Sequence, residues 1–156
     1  MDSLPSLGVF VALCFCAAMS GAFFKPDEWY RGLSKPSWQP PDWLFAPVWS
    51  ILYIMIAVAG WLVWRKAGWD GGAFALAVYG INLMLNATWS ALFFGLRRPD
   101  LAFVGLVALW LCTAALITVF GPISANAAWL LAPYLAWVSF AGVLNYSIMR
   151  RNPRPA

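Results

Sequence analysis

The chain has 156 residues, 63% of them hydrophobic and only 10% charged, and a formal net charge of +4. A soluble domain is ordinarily about 25% charged, so this chain has too little polar surface to coat a small globule in water. The composition therefore excludes a water-soluble domain, and the absence of histidine removes imidazole acid–base chemistry and His-ligated zinc or haem iron.

A membrane-spanning helix needs roughly 20 apolar residues. Five runs qualify, at about 4–24, 43–64, 72–96, 101–120 and 124–149. The expected fold class is an all-α membrane protein, a single five-transmembrane-helix bundle over 1–156. The first run follows an acid and no base, so it reads as a retained helix and not as a signal peptide. Its Cys14 and Cys16, two apart on a helix, face different ways and cannot hold a metal together. With Cys112 they read as small apolar filler, and no metal site is expected.

Between the first two runs lies a long connection, 25–42, in a chain whose other loops are short. Long loops in compact bundles tend to be functional lids. Residues 35–49, "KPSWQPPDWLFAPVW", carry four prolines and three tryptophans. Pro36, Pro40 and Pro41 should hold the lid extended, and Trp38 and Trp43 should seat it at the membrane interface. Pro47 suits the first turn of the second helix.

The third run carries small residues at Ala73, Ala77, Gly80, Ala87, Ala91 and Gly95, and the first has a weaker pair in Ala17 and Gly21. Small stripes let helices approach closely in lipid. This one reads as a homodimer seam, with packing inside one chain as the alternative. Polar residues in a span are costly unless paired. Here they are Asn82 and Asn86, four apart on one face, and Asn145 in the fifth run.

Eleven tryptophans are present. Trp29, Trp38, Trp43, Trp64, Trp69 and Trp129 flank spans and fit an aromatic belt. Trp110 and Trp137 lie too deep for that, nine or more residues from either end of their spans, roughly 14 Å or more at 1.5 Å per residue. Trp49 with Tyr53, Asn86 with Trp89, and Trp137 with Ala141 share helix faces at similar depth. Such faces would line a slot for a flat, largely apolar ligand. Ordinary aromatic packing explains the same spacing.

Five spans place Lys25, Arg31, Lys35, Arg97, Arg98, Arg150, Arg151 and Arg154 on one side, and only Arg65 and Lys66 on the other. The bias puts the N-terminus outside and the C-terminus in the cytoplasm, and favours an inner membrane over an outer one. The positive charge thus reads as a topology signal and an anionic-lipid contact, with no nucleic-acid partner expected.

The segments "WYRGLSKPSWQPPDWLFAPVWSILY", "INLMLNATWSALFF" and "LAPYLAWVSFAGVLNYSIMRRN" resemble the tryptophan-rich sensory protein family, TspO. Its animal relatives are the translocator proteins, once called peripheral-type benzodiazepine receptors. The resemblance covers nearly the whole chain. It implies a membrane receptor or sensor for porphyrins such as protoporphyrin IX and haem, held as ligands and not as cofactors, in a pocket beneath the first loop. Animal members also bind cholesterol and drugs of the isoquinoline carboxamide and benzodiazepine types. The implied lining is Tyr30, Pro41, Trp49, Tyr53, Asn86, Trp89, Trp137, Ala141 and Leu144, with Val107 or Trp110 from the fourth span. Tryptophans matching Trp49 and Trp137 are implicated in light- and oxygen-dependent porphyrin breakdown in bacterial relatives; no other catalytic residue is implied. "LNYSIMR" matches the family's sterol-recognition pattern through Leu144, Tyr146 and Arg150, a weak pattern that a helix end with a snorkelling arginine also explains. Transport of porphyrin or sterol is the competing function. The absence of intramembrane acids argues against active, proton-coupled transport.

Overall fold

The structure, a computed structural model, describes residues 3–153. Asp2 and Arg154, which entered the charge argument, lie outside the described residues. No strand occurs among the described residues. Helix α1 spans Ser3–Phe23, a four-residue α2 Glu28–Arg31, α3 Phe45–Ser90, α4 Pro99–Phe120 and α5 Ala125–Arg151. Four segments are long and apolar enough to cross a membrane: Leu4–Phe23, Asp42–Gly95, Pro99–Phe120 and Ala125–Arg151.

The second of these is two spans in one. Its α3 core of 46 residues would run about 69 Å if straight, more than twice a hydrocarbon core of roughly 30 Å. The break is Gly68, at φ 56° and ψ −155°. That left-handed backbone is open to glycine and strained for residues with a Cβ. Contacts across the break pair Gly60 with Tyr79, Ile56 with Tyr79 and Tyr53 with Asn86. The two limbs are therefore antiparallel neighbours, and five spanning limbs result. The sequence predicts a seven-residue loop over 65–71. Instead its charged residues stay helical and one glycine makes the reversal.

Gly60 makes the hairpin close. A Cβ there would lie 2.7 Å from the Tyr79 ring and 2.8 Å from Phe10 of α1. Tyr79 then sits buried, its hydroxyl donating to the Ile56 carbonyl at 3.0 Å. Helix α1 packs on the second limb through Phe10, Cys14 and Ala17, all buried, and Ser20 donates to the Ala87 carbonyl at 2.5 Å.

After Ser90 the chain widens into a π-helix, Ala91–Gly95, closed by a bond from Leu96 N–H to the Ala91 carbonyl at 2.8 Å. Gly95 lets Phe24 lie close there: a Cβ would meet the Phe24 ring at 2.8 Å. Arg97 follows with φ 54°, and Pro99 opens α4 at a position that needs no N–H. Ser124 caps α5 by accepting from Ala127 N–H at 3.2 Å.

The connection 25–42 is more structured than an extended strap. Asp27 caps α2 by accepting from Tyr30 N–H at 3.1 Å, and a 3-10 turn, Asp42–Leu44, leads into α3. Pro36 is buried, whereas Pro41, Trp38 and Trp43 are exposed.

Candidate functional site

A cavity of about 450 Å³ lies between α1, both limbs of α3, α4 and α5, under the connection. The size suits a drug-sized ligand. Its walls are mostly aromatic. Trp49 and Tyr53 come from the first limb, Asn86 and Trp89 from the second, Trp137, Ala141 and Leu144 from α5, and Tyr30 from α2. These are eight of the nine residues that the resemblance implied. Pro41 is the exception; it is exposed and does not line the cavity.

The α4 contribution is Leu106, not Val107 or Trp110. Those two face a shallower apolar groove on the outside of α4 and α5, where Trp110 Nε1 donates to Ser139 Oγ at 2.7 Å. The sterol-pattern residues also diverge. Leu144 lines the cavity, Tyr146 lines the outer groove, and Arg150 is exposed. A step of two residues turns a helix by roughly 200°, so the three cannot present one face.

Sequence reasoning missed Phe24, Phe45, Phe93 and Phe94, which also line the cavity. Phe45 and Phe140 pack on the Trp137 ring at 5.7 Å and 5.3 Å between centroids. Trp89 stacks on Phe93 at 5.3 Å. Asp42 is the one charged residue of the lining.

The polar groups of the wall are held from behind. Tyr53 Oη donates to Asn86 Oδ1 at 2.5 Å, and Asn86 Nδ2 donates to Tyr134 Oη at 2.9 Å. Tyr134 Oη donates to Asn82 Oδ1 at 2.9 Å, and Asn82 Nδ2 to Thr113 Oγ1 at 2.9 Å. Trp89 Nε1 donates to Asn145 Oδ1 at 3.0 Å, and Asn145 Nδ2 to the Pro99 carbonyl at 2.9 Å. Asn82, Asn86 and Asn145 are thus bonded between helices. Among the described residues, buried Trp137 Nε1 has no acceptor.

The cover is fastened at several points. Arg97 bridges Asp27 at 3.0 Å. Gln39 Nε2 donates to Tyr30 Oη at 2.8 Å, and Lys35 Nζ sits 4.3 Å above the Tyr30 ring. Burial pushes the Tyr30 hydroxyl up to about 12, so it stays neutral and able to bond.

The stripe on the second limb is split. Ala73, Ala77 and Gly80 are exposed on the bundle's outer face, and a Cβ at Gly80 would meet nothing within 4 Å. Ala87 and Ala91 are half-buried, and Ala87 packs toward α1.

Four apolar spanning segments with an aromatic cavity among them define an integral membrane helical bundle with an interior ligand-sized site. The chain belongs to the TspO/MBR family, whose model matches residues 10–151. It is 43% identical to the tryptophan-rich protein TspO of Chlorobaculum tepidum over 155 residues, covering 95% of this chain and 96% of that one. It is 39% identical to the tryptophan-rich sensory protein of Cereibacter sphaeroides, covering 92% and 89% of the two chains. It is also 39% identical to the human translocator protein, covering 95% and 85%.

Proposed function

We infer that the protein is a membrane receptor that binds porphyrins such as protoporphyrin IX or haem in this cavity, and so ties tetrapyrrole level to a cellular response. Related flat apolar molecules, sterols and benzodiazepine-type drugs among them, are secondary ligands. The observation that carries the reading is the wall itself: indoles Trp49, Trp89 and Trp137 and phenol Tyr53 around about 450 Å³. Aromatic faces and few polar groups suit a planar macrocycle. The lining holds no Lys, Arg or His, so propionates would reach rim cations such as Arg31 and Lys35.

Passive movement of porphyrin along the membrane is the second reading, supported by translocator-named relatives. A light-dependent porphyrin degrader is the third. It would need light and dioxygen as the oxidant, with Trp49 and Trp137 beside the excited macrocycle, and the lining's single carboxyl, Asp42, makes no acid–base pair. The N-terminus lies outside and the basic C-terminus in the cytoplasm, and two copies associate through Ala73, Ala77 and Gly80.

The test is a dark titration of tryptophan fluorescence with protoporphyrin IX on purified protein. Trp137→Phe and Ala141→Thr are run beside Trp69→Phe, an exposed control. Saturable micromolar quenching, weakened about tenfold or more by the two cavity changes only, supports the reading. Linear quenching equal in all proteins overturns it. Repeating the titration under light separates binding from degradation.

A further inference from the structure

Helix α1 meets both limbs of α3 at Phe10. That ring lies against Gly60 of the first limb and edge-on to Tyr79 of the second, 5.7 Å between centroids. Nearer the cover, Ser20 donates to the Ala87 carbonyl of the second limb. Beside it, Gly21 and Ala22 of α1 line the cavity and are exposed, and so are Ala46 and Ser50 of the first limb. A Cβ at Gly21 would meet nothing within 4 Å. Residues that face the cavity and the exterior at once are the edges of an opening.

These edges are small and uncharged. Ser50 Oγ donates to the Ala46 carbonyl at 2.7 Å, so its hydrogen is used within its own helix. They also lie inside the apolar segments. Gly21 is two residues from the end of Leu4–Phe23, and Ala46 and Ser50 are four and eight from the start of Asp42–Gly95. At 1.5 Å per residue that is about 3–12 Å deep. The opening therefore faces lipid. The side toward water is fastened shut, with Tyr30 buried beneath Lys35, bonded by Gln39, and the cover tied by Arg97 and Asn152.

We propose that the ligand enters sideways from the bilayer, through this mouth between the last turns of α1 and the first turns of α3. The class of molecule taken up is a flat amphiphile already dissolved in the membrane, which reaches the aromatic wall without crossing water. The cover supplies the remaining edge through Pro26 and Asp42, so loosening the cover widens the same mouth. The proposal rests on the cavity being the porphyrin site.

Gly21→Phe and Ala46→Phe place a ring on opposite edges of the mouth. Gly8→Phe is the control: it is exposed on the same helix, has nothing within 4 Å of its Cβ, and lies 13 residues from Gly21, about 20 Å. The probe is protoporphyrin IX, kept dark in phosphatidylcholine vesicles that hold the full chain. Temperature-jump relaxation of tryptophan fluorescence at several ligand-to-lipid ratios gives both rate constants. Each edge variant should slow association and release together, about fivefold or more, with Kd moving far less than either rate. Gly8→Phe should keep wild-type rates. Loss of a binding contact would instead raise the release rate and weaken Kd. Wild-type rates in either folded edge variant, faster release with weakened Kd, or equal slowing by Gly8→Phe overturns the proposal while the functional reading stands. No saturable binding by the wild-type protein overturns both.

Discussion

Ser34 and Asn152, 118 residues apart in the chain, are joined by two hydrogen bonds. Ser34 N–H donates to Asn152 Oδ1 at 2.9 Å, and Asn152 Nδ2 donates to the Ser34 carbonyl at 2.8 Å. The same amide nitrogen also reaches the Ile148 carbonyl at 2.9 Å. The residue that ends α5 thereby fastens the cover of the cavity. Asn152→Ala removes both bonds to the cover. Ligand dissociation should accelerate about threefold to tenfold, as expected for about 1 kcal/mol of lost bonding, and amide exchange should rise over residues 33–39. Stopped-flow release and hydrogen exchange check this.

Gly60→Ala should be the most damaging single methyl in the bundle. The added carbon meets the Tyr79 and Phe10 rings at 2.7–2.9 Å, and both rings are buried. Overpacking of this kind costs about 1–3 kcal/mol. Thermal unfolding in detergent should show a clear loss, while Gly21→Ala, which meets nothing within 4 Å, should not.

Gly95→Ala acts on the site through Phe24. Its Cβ would lie 2.8 Å from two atoms of that ring, and Phe24 lines the cavity. The ring must swing away or the π-turn must tighten. Ligand affinity should fall several-fold with a smaller loss of thermal stability than Gly60→Ala causes.

The pH dependence of the cover follows from Tyr30 and Asp27. Bonding to the Tyr30 N–H, with the Arg97 pair behind it, holds the Asp27 carboxyl below its ordinary value. A depressed carboxyl stabilises the fold at neutral pH, and that share is lost as the pH falls through the lowered value. Tyr30 is raised, mainly by burial, to about 12. Its share is complete below its ordinary value of 10.0 and is lost as the pH rises toward 12. Affinity for a neutral ligand should therefore be flat between about pH 5 and pH 9. A titrating step inside that window would contradict this account of the cover.

Much of this was legible in the apolar runs. Spans expected at 4–24, 101–120 and 124–149 correspond to helices at Ser3–Phe23, Pro99–Phe120 and Ala125–Arg151. The reversal at Gly68 was not legible, because Arg65, Lys66 and Asp70 read as a polar loop and nothing local shows that one glycine suffices. The π-turn was hidden for a similar reason: the space beside Gly95 is filled by Phe24, just past the end of α1, and nothing local to 91–95 shows that. Val107 or Trp110 was expected in the cavity only from the resemblance, because α4 is apolar nearly all round and offers little to mark its rotation. Thr113 is the marker that was available. It and Tyr134 are the polar groups of their spans that meet Asn82, and pairing them first would have turned Leu106 inward.

The most direct test of the central claim is an experimental structure of the protein with protoporphyrin IX bound in the dark. The account predicts the macrocycle between Trp49 and Trp137, beneath Tyr30, with the Tyr53–Asn86–Tyr134 bonds intact. A macrocycle seated instead in the outer groove beside Trp110 and Tyr146 would contradict it.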